Sequence, residues 1–277
     1  MEQTPFAIDQ ERCILCGACA DDCPYRIIEM ADHGPVLNPT RIHHCIQCQH
    51  CIAVCPTGAL SIWNIDPDKS LPLPESFPTA DQVAALIRGR RSVRRYLPEP
   101  LEPEVIDRLL RTVANAPTGK NNRSCLLTVI EDRATMAILR EETMAGLREV
   151  VRAGRLADGL GYFRHVLSAW DQGKDIIFRD APHLLMVSAP PESTTPEADA
   201  LIAMTCFELM AASMGIGVLW NAMIRWVFSM LNTNMYARLG IPDDHYKGYA
   251  LLFGRPAVRY HRTVQRDEAH INRVRLS

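Results

Sequence analysis

Apolar residues after position 80 recur with the periods of regular structure, whereas those before position 66 do not. Asp81 to Arg91 and Glu104 to Ala114 carry apolar side chains at helix spacing, and Ala134 to Arg152 sustains that period for longer. Leu126 to Ile130 and Leu184 to Ala189 are short apolar runs bounded by polar residues, which predicts buried strands. Ala198 to Met214 is apolar on nearly every side, interrupted only by Asp199 and Glu208, so this helix is expected to be core or a seam between two subunits. Trp226 to Leu239 is expected to be one more helix, and Tyr249 to Phe253 a third strand closed by Gly254. The pattern predicts an α+β or α/β domain over residues 81–277. Between the two regions, Asp66 to Pro78 holds Pro67, Pro72, Pro74 and Pro78, which stops helices and predicts a semi-rigid connector over residues 66–80.

Residues 1–65 are organised by cysteine instead. Eight of the ten cysteines fall in two runs, Cys13, Cys16, Cys19, Cys23-Pro24 and Cys45, Cys48, Cys51, Cys55-Pro56, the second repeating the first 32 places on. Each run has the spacing C-x2-C-x2-C-x3-C-P, the bacterial iron–sulfur pattern in which the fourth cysteine ligates the other cluster. Three close thiolates wrap one face of a cubane, and the loop is too tight for the fourth. Cys13, Cys16, Cys19 and Cys55 are therefore assigned to one [4Fe-4S] cluster, and Cys45, Cys48, Cys51 and Cys23 to the other. Zinc sites pair two C-x-x-C knuckles and have no use for a third cysteine and a proline in each run. A disulfide framework calls for a secretory leader, and Met1 to Gln10 has neither a basic start nor an apolar core. His43, His44 and His50 crowd the second run, but its four cysteines are all present, so the histidines are expected to support the ligands from outside or to lie on the surface. A module this small has little core of its own, and metal binding is expected to supply much of its folding energy.

Composition narrows the picture a little further. The chain has 277 residues, 47% hydrophobic and 6% aromatic, which suits one or two globular domains with an aliphatic core. A formal net charge of −2 gives no reason to expect nucleic acid or an anionic membrane as partner. No apolar run is long enough to span a bilayer. Thiolate ligands need a reducing compartment, so a cytoplasmic location is expected. Cys125 and Cys206 lie in apolar stretches and are expected to be buried thiols.

The region after the connector resembles the nitroreductase family, whose members are homodimeric FMN-binding proteins. Arg90-Arg91-Ser92-Val93-Arg94-Arg95-Tyr96 resembles the family's R-R-S-x-R-x-[FY] opening, and Ala116-Pro117-Thr118-Gly119-Lys120-Asn121-Asn122 its A-P-[ST]-x-x-N-x segment. Ala181-Pro182 precedes a strand, and Gly215-Ile216-Gly217-Val218-Leu219-Trp220 is similar to the G-[LI]-G-x-x-W run. Leu239-Gly240-Ile241-Pro242 followed by Gly248 to Pro256 resembles the family's ending. With the cysteine region in front, the order matches the ferredoxin-fused branch. The resemblance implies that Arg90, Arg91, Ser92 and Arg94 meet the FMN phosphate and ribityl chain, where guanidinium forks suit phosphate oxygens. It implies that Asn121 of the partner subunit contacts the flavin ring, that Gly215 and Gly217 admit close backbone approach, and that backbone around Asn221 and Ala222 lies beside the reactive edge. Arg262 is the candidate for a late phosphate contact. One departure is Asn122-Arg123-Ser124 where the family often has glutamine and proline; Arg123 either favours an anionic substrate or faces solvent.

The fold class implied is α+β, a two-cluster ferredoxin module followed by a nitroreductase-like FMN domain in a homodimer. The function implied is an oxidoreductase that passes electrons from an external ferredoxin-like donor through two clusters to FMN, for reduction of a small organic acceptor such as a nitro compound, quinone or activated alkene. No catalytic side chain is nominated, since hydride delivery by the flavin needs no dedicated base; Tyr162, His165 and His183 are the available proton donors. No dinucleotide-binding G-x-G-x-x-G unit is present. Two other readings stand beside it: a dehydrogenase exporting electrons through the clusters, and a non-catalytic redox sensor or carrier.

Overall fold

In the computed structural model, residues 5–73, 76–231 and 234–276 are described. Pro74 of the expected connector and Asn232-Thr233 of the last expected helix lie outside them. The chain forms two compact units, one of residues 1–79 with 120–122 and one of residues 80–119 with 123–277.

The first unit turns the sequence repeat into a structural one. Strand β1 (Phe6–Ile8), helix α1 (Ala18–Asp21), the hairpin β2 (Ile28–Ala31) and β3 (Gly34–Leu37), helix α2 (His50–Ala53) and β4 (Leu60–Ile62) follow in order. β1 pairs antiparallel with β4, and β2 with β3. Helices α1 and α2 lie 32 residues apart, the same offset as the cysteines. Left-handed backbone repeats at that offset too, at Leu15 and Gln47, Gly17 and Gln49, and Arg26 and Gly58. Such residues turn the chain sharply, and a non-glycine residue holds that conformation only where its surroundings enforce it. The core is small: Cys19, Ile27, Ile28, Cys51, Ile52, Leu60 and Ile62. The start of the expected connector is folded. Pro67–Lys69 forms a 3-10 turn capped by Asp66, and Asp68 takes a two-pronged ion pair from Arg12 at 2.8 and 3.0 Å.

The second unit is a four-stranded antiparallel sheet between helices. Strands β5 (Leu126–Ile130), β6 (His183–Ala189), β7 (Gly217–Asn221) and β8 (Tyr246–Gly254) run in the spatial order β5-β6-β8-β7. The helices are α3 (Ala80–Gly89), α4 (Pro103–Val113), α5 (Arg133–Arg152), α6 (Tyr162–Asp171), α7 (Pro196–Ser213), α8 (Ala222–Met230) and α9 (Met235–Arg238). β6 is buried along its whole length because the strand period sends its side chains to two covered faces. Leu184 and Met186 pack with α5, α6 and α8, while Leu185 and Val187 pack with α4 and α7. α7 is core within the single chain: Ala200, Ala203, Met204, Phe207 and Ala211 are buried against the sheet.

Three expectations are corrected. The helix expected over Trp226 to Leu239 is two helices, because Leu231 is extended and Asn234 starts a new turn by accepting from the Ala237 N–H at 3.1 Å. The sheet has a fourth strand, β7, which starts inside the Gly215–Trp220 run and ends at Asn221, and α6 is a helix that no expectation covered. Cys125 and Cys206 are partly rather than fully buried, and burial raises both thiols above their ordinary pKa. No helix among the described residues is long and apolar enough to cross a membrane.

Candidate functional site

Each unit holds one candidate site. In the first, the loop after β1 and the loop before α2 present the two cysteine runs. Cys13, Cys16, Cys19 and Cys55 line a single cavity together with Gly17 and Thr57. On the other side Cys51 lies within electrostatic reach of Cys48, Cys23 and Cys45. The structure thus groups the thiols three from one run with one from the other, in both directions. Burial pushes the Cys51 thiol up to about 12, and the neighbouring sulfurs add to the rise. Burial likewise raises Cys19. At Cys55 burial also acts upward, but donation from the Ala59 and Thr57 N–H groups and the Thr57 hydroxyl outweighs it and the thiol is lowered.

The hydrogen bonds to sulfur carry the same repeat. Ile27 N–H donates to Cys23 Sγ at 3.4 Å and Ala59 N–H to Cys55 Sγ at 3.3 Å, so each crossing cysteine is served by the residue four places on. The symmetry breaks at Trp63, in left-handed backbone, whose indole N–H donates to Cys45 Sγ at 3.5 Å. Among the described residues no three His, Cys, Asp or Glu side chains close around a point fit for a single metal ion. His50 pairs with Asp22 at 3.1 Å, and His43 and His44 are exposed with their rings 3.9 Å apart, on the surface rather than beneath the thiols.

The second site is built where the segment after α3 meets the sheet. Ser92 bridges to Val218 of β7, Val93 N–H donates to Val218 C=O at 3.0 Å, and Tyr96 bridges to Pro256. The buried Tyr96 hydroxyl lies 2.8 Å from the Val93 carbonyl and 3.1 Å from that of Leu252, and burial raises its pKa. Gly217 is required by this contact, since a Cβ there would stand 2.8 Å from the Val93 side chain. Beside the joint is a cavity of about 130 Å³ lined by Arg90, Arg91, Gly215 and Gly217, with Glu208 and Tyr260. A Cβ on Gly215 would meet nothing within 4 Å, so its backbone is open to the cavity. In the sequence Glu208 is only a polar break in an apolar helix. It is buried and accepts from Arg90 Nε at 2.8 Å and from Trp220 Nε1 at 3.0 Å.

The other predicted contacts lie elsewhere. Arg94 is exposed, with Nη1 3.3 Å from the Ser92 carbonyl, and Ser92 is half-buried outside the cavity lining. Asn121 belongs to the first unit, where its side-chain amide donates to Ile46 C=O at 2.9 Å. The Asn221 side chain is buried and engaged at both ends, accepting from Ile224 N–H as the cap of α8 and donating to Ile177 C=O at 2.6 Å. Ala222 is half-buried and opens α8, and Arg262 is exposed in the segment after β8. Of the proton donors considered, His183 is fully buried, accepts from Leu101 N–H at 2.7 Å and stacks on Phe253, and burial lowers its pKa; it is a core residue. Tyr162 is exposed, its ring 5.7 Å from that of His165. Asp199, the other acid of α7, accepts from Gly119 N–H at 2.9 Å, Ser193 Oγ at 2.6 Å and Thr195 Oγ1 at 2.8 Å, which ties the Ala116–Gly119 segment to the start of that helix.

Taken singly, the units are a small cysteine-rich electron-carrier fold and an α+β fold with an arginine-lined cavity. The nitroreductase family profile matches residues 87–255, and the 4Fe-4S dicluster domain profile matches residues 12–59. The chain belongs to the nitroreductase family and carries a 4Fe-4S dicluster domain ahead of the family fold. Among solved structures it is similar to a nitroreductase with bound FMN from Desulfitobacterium hafniense, at 22% identity and a TM-score of 0.56 over 71% of this chain and 100% of that one. A nitroreductase with bound FMN from Bacteroides fragilis superposes with a TM-score of 0.52 at 21% identity, over 69% of this chain and 99% of that one. In sequence, 60 residues are 40% identical to the methylamine utilization ferredoxin-type protein MauM of Methylobacillus flagellatus, covering 19% of this chain and 26% of that protein. A ferredoxin of Pyrobaculum islandicum is 41% identical over 56 residues, 20% of this chain and 49% of that one. The chain spans about a quarter to a half of the length of these two relatives.

Proposed function

We propose that this protein is an FMN-dependent oxidoreductase in which an external low-potential, ferredoxin-like donor delivers electrons through two [4Fe-4S] clusters for reduction of a small organic acceptor such as a nitro compound, quinone or activated alkene. The observation that carries the reading is the crossed grouping of the eight cysteines in a chain whose second unit has the nitroreductase fold. When bound, the clusters supply one-electron carriage and FMN supplies hydride chemistry. Cys13, Cys16, Cys19 and Cys55 would hold one cluster, and Cys45, Cys48, Cys51 and Cys23 the other. The donor set fits, being all thiol, with N–H groups already aimed at sulfur. Arg90 and Arg91 would bind the FMN phosphate, with the open Gly215 backbone beside them. Ser92, Arg94, Asn121, Gly217, Asn221, Ala222 and Arg262 remain the further contacts proposed from the family likeness, Asn121 from the partner subunit of a homodimer. We place the protein in the cytoplasm, where thiolate ligands stay reduced.

Anaerobic absorbance titration with NADH, NADPH and then enzymatically reduced ferredoxin tests the direction of flux. Bleaching of clusters and flavin together by ferredoxin alone is expected. Immediate bleaching of the flavin by a nicotinamide, with little added by ferredoxin, would reverse the assignment and make the clusters an exit. Purified protein with both clusters but no affinity for flavin would leave only the carrier reading. Sedimentation at the mass of one chain with full flavin occupancy would remove the dimer.

A further inference from the structure

We infer that Glu208 is a positioning residue that fixes the orientation in which Arg90 meets a phosphate in the cavity, with Trp220 fixing Glu208 in turn. The inference rests on the FMN reading above and adds residues that the motif arginines do not reveal.

A carboxylate on an otherwise apolar, buried helix is costly unless it is paired, and an apolar side chain of similar volume would serve packing as well. Glu208 has both oxygens committed, Oε1 to Arg90 Nε and Oε2 to Trp220 Nε1, with its side chain only 9% exposed. The bond to Arg90 uses Nε alone. A guanidinium is a rigid plane, so engaging its inner N–H on the side edge fixes the plane and leaves the outer edge, with one N–H from each terminal nitrogen, directed away from the carboxylate. Among the described residues the Arg90 guanidinium is seen with no other hydrogen-bond or ion-pair partner, and the side chain is 30% exposed at the cavity. The carboxylate is itself held from the sheet, since Trp220 lies on β7 while Glu208 lies on α7. Three elements thus meet at one side chain, and the end of Arg90 left over is the fork that matches phosphate oxygens.

Charge and orientation predict opposite results. As a bare negative charge beside an anion site, Glu208 weakens phosphate binding. As a positioning group, it strengthens it. Glu208→Gln keeps the volume but has one acceptor oxygen for two donors, so Arg90 or Trp220 loses its bond.

The test is equilibrium binding of FMN and of riboflavin to the full chain, clusters retained and flavin removed, under anaerobic conditions. Wild type is expected to prefer FMN, and Glu208→Gln to lose about tenfold in FMN affinity with riboflavin binding unchanged, one bond's worth of orientation. Trp220→Phe keeps the charge and frees the carboxylate to rotate; it is expected to shift the FMN-to-riboflavin ratio the same way by a smaller factor, and it reads the effect if the glutamine variant does not fold. Unchanged or tighter FMN binding in a folded Glu208→Gln or Trp220→Phe variant overturns the inference while leaving the FMN reading intact. A wild-type protein with no preference for FMN over riboflavin overturns both.

Discussion

Asp199 offers the sharpest test of how the second unit is held together. It is 1% exposed and receives three donors, so its removal strands groups that have little water to turn to. In Asp199→Ala the Gly119 N–H loses its acceptor, while the Ser193 and Thr195 hydroxyls are free to rotate toward others. An unmade buried donor costs about 1–3 kcal/mol, and each bond to a charged group is worth about 1.5–3 kcal/mol. Allowing for recovery by the two hydroxyls, the expected loss is about 3 kcal/mol, a fall of roughly 6–12 °C in the Tm of a unit this size. Asp199→Asn can keep its carbonyl oxygen toward Gly119 and Thr195 and let the Ser193 hydroxyl turn to accept, so about 1 kcal/mol is expected. Burial works to raise the pKa of Asp199, but the bonds from Ser193, Gly119 and Thr195 outweigh it and leave the group below its ordinary value. A carboxylate depressed in the folded state adds stability that is fully present above its unfolded pKa and is lost as pH falls through the folded one. The gap between wild type and Asp199→Ala should therefore hold at neutral pH and narrow below about pH 4. Thermal and urea unfolding followed by near-ultraviolet circular dichroism across that range would measure it. Equal losses in the alanine and asparagine variants, or a gap that widens in acid, would refute the reasoning.

Three further outcomes are expected. Trp63→Phe removes the only side-chain N–H seen donating to a cysteine sulfur among the described residues and should lower the reduction potential of one cluster, the one served by Cys45; a redox titration followed by electron paramagnetic resonance that finds both midpoints moved, or neither, counts against it. Gly217→Ala drives a methyl group into Val93 and should destabilise the second unit by about 1–3 kcal/mol, and it should add less in a Val93→Gly background, where the Cβ that stands 2.8 Å away is gone; an equal loss in both backgrounds would mean that the clash is not the cause. Stripping iron should unfold the elements from Phe6 to Ile62 while the sheet of the second unit stays protected from hydrogen exchange, because the first core is seven residues deep in chemistry and two of those are cysteines; retained protection across both units would show that the small core suffices alone.

Much of this was readable from sequence where a period or a spacing carried it. The cysteine runs gave the repeat, and the strands β5, β6 and β8 announced themselves as short apolar runs. β7 was hidden because Gly215 precedes it and Gly217 opens it, and glycine signals a turn unless the neighbour that demands it is known; for Gly217 that neighbour is Val93, more than a hundred residues earlier. The division of Trp226 to Leu239 into two helices rests on Asn234, whose value as a cap depends on backbone that sequence alone does not fix. Asp199 and Glu208 were visible only as blemishes on an apolar helix. What gives them meaning is distance in the chain: Glu208 reaches back to Arg90, and Asp199 reaches back to Gly119. Local pattern finds elements, and long-range polar pairing has to be seen.

The exchange of fourth thiols between the two cysteine runs has a consequence for how such a module is assembled and how it fails. Cys55 stands with the first run and Cys23 with the second, so each half of the repeat keeps a sulfur on loan to its twin. A half copied or expressed by itself would be one ligand short, and a lesion at Cys23 would be felt where the other half sits. On that grouping the pair would be the indivisible unit, each set of four thiols complete only when both halves of the repeat are present.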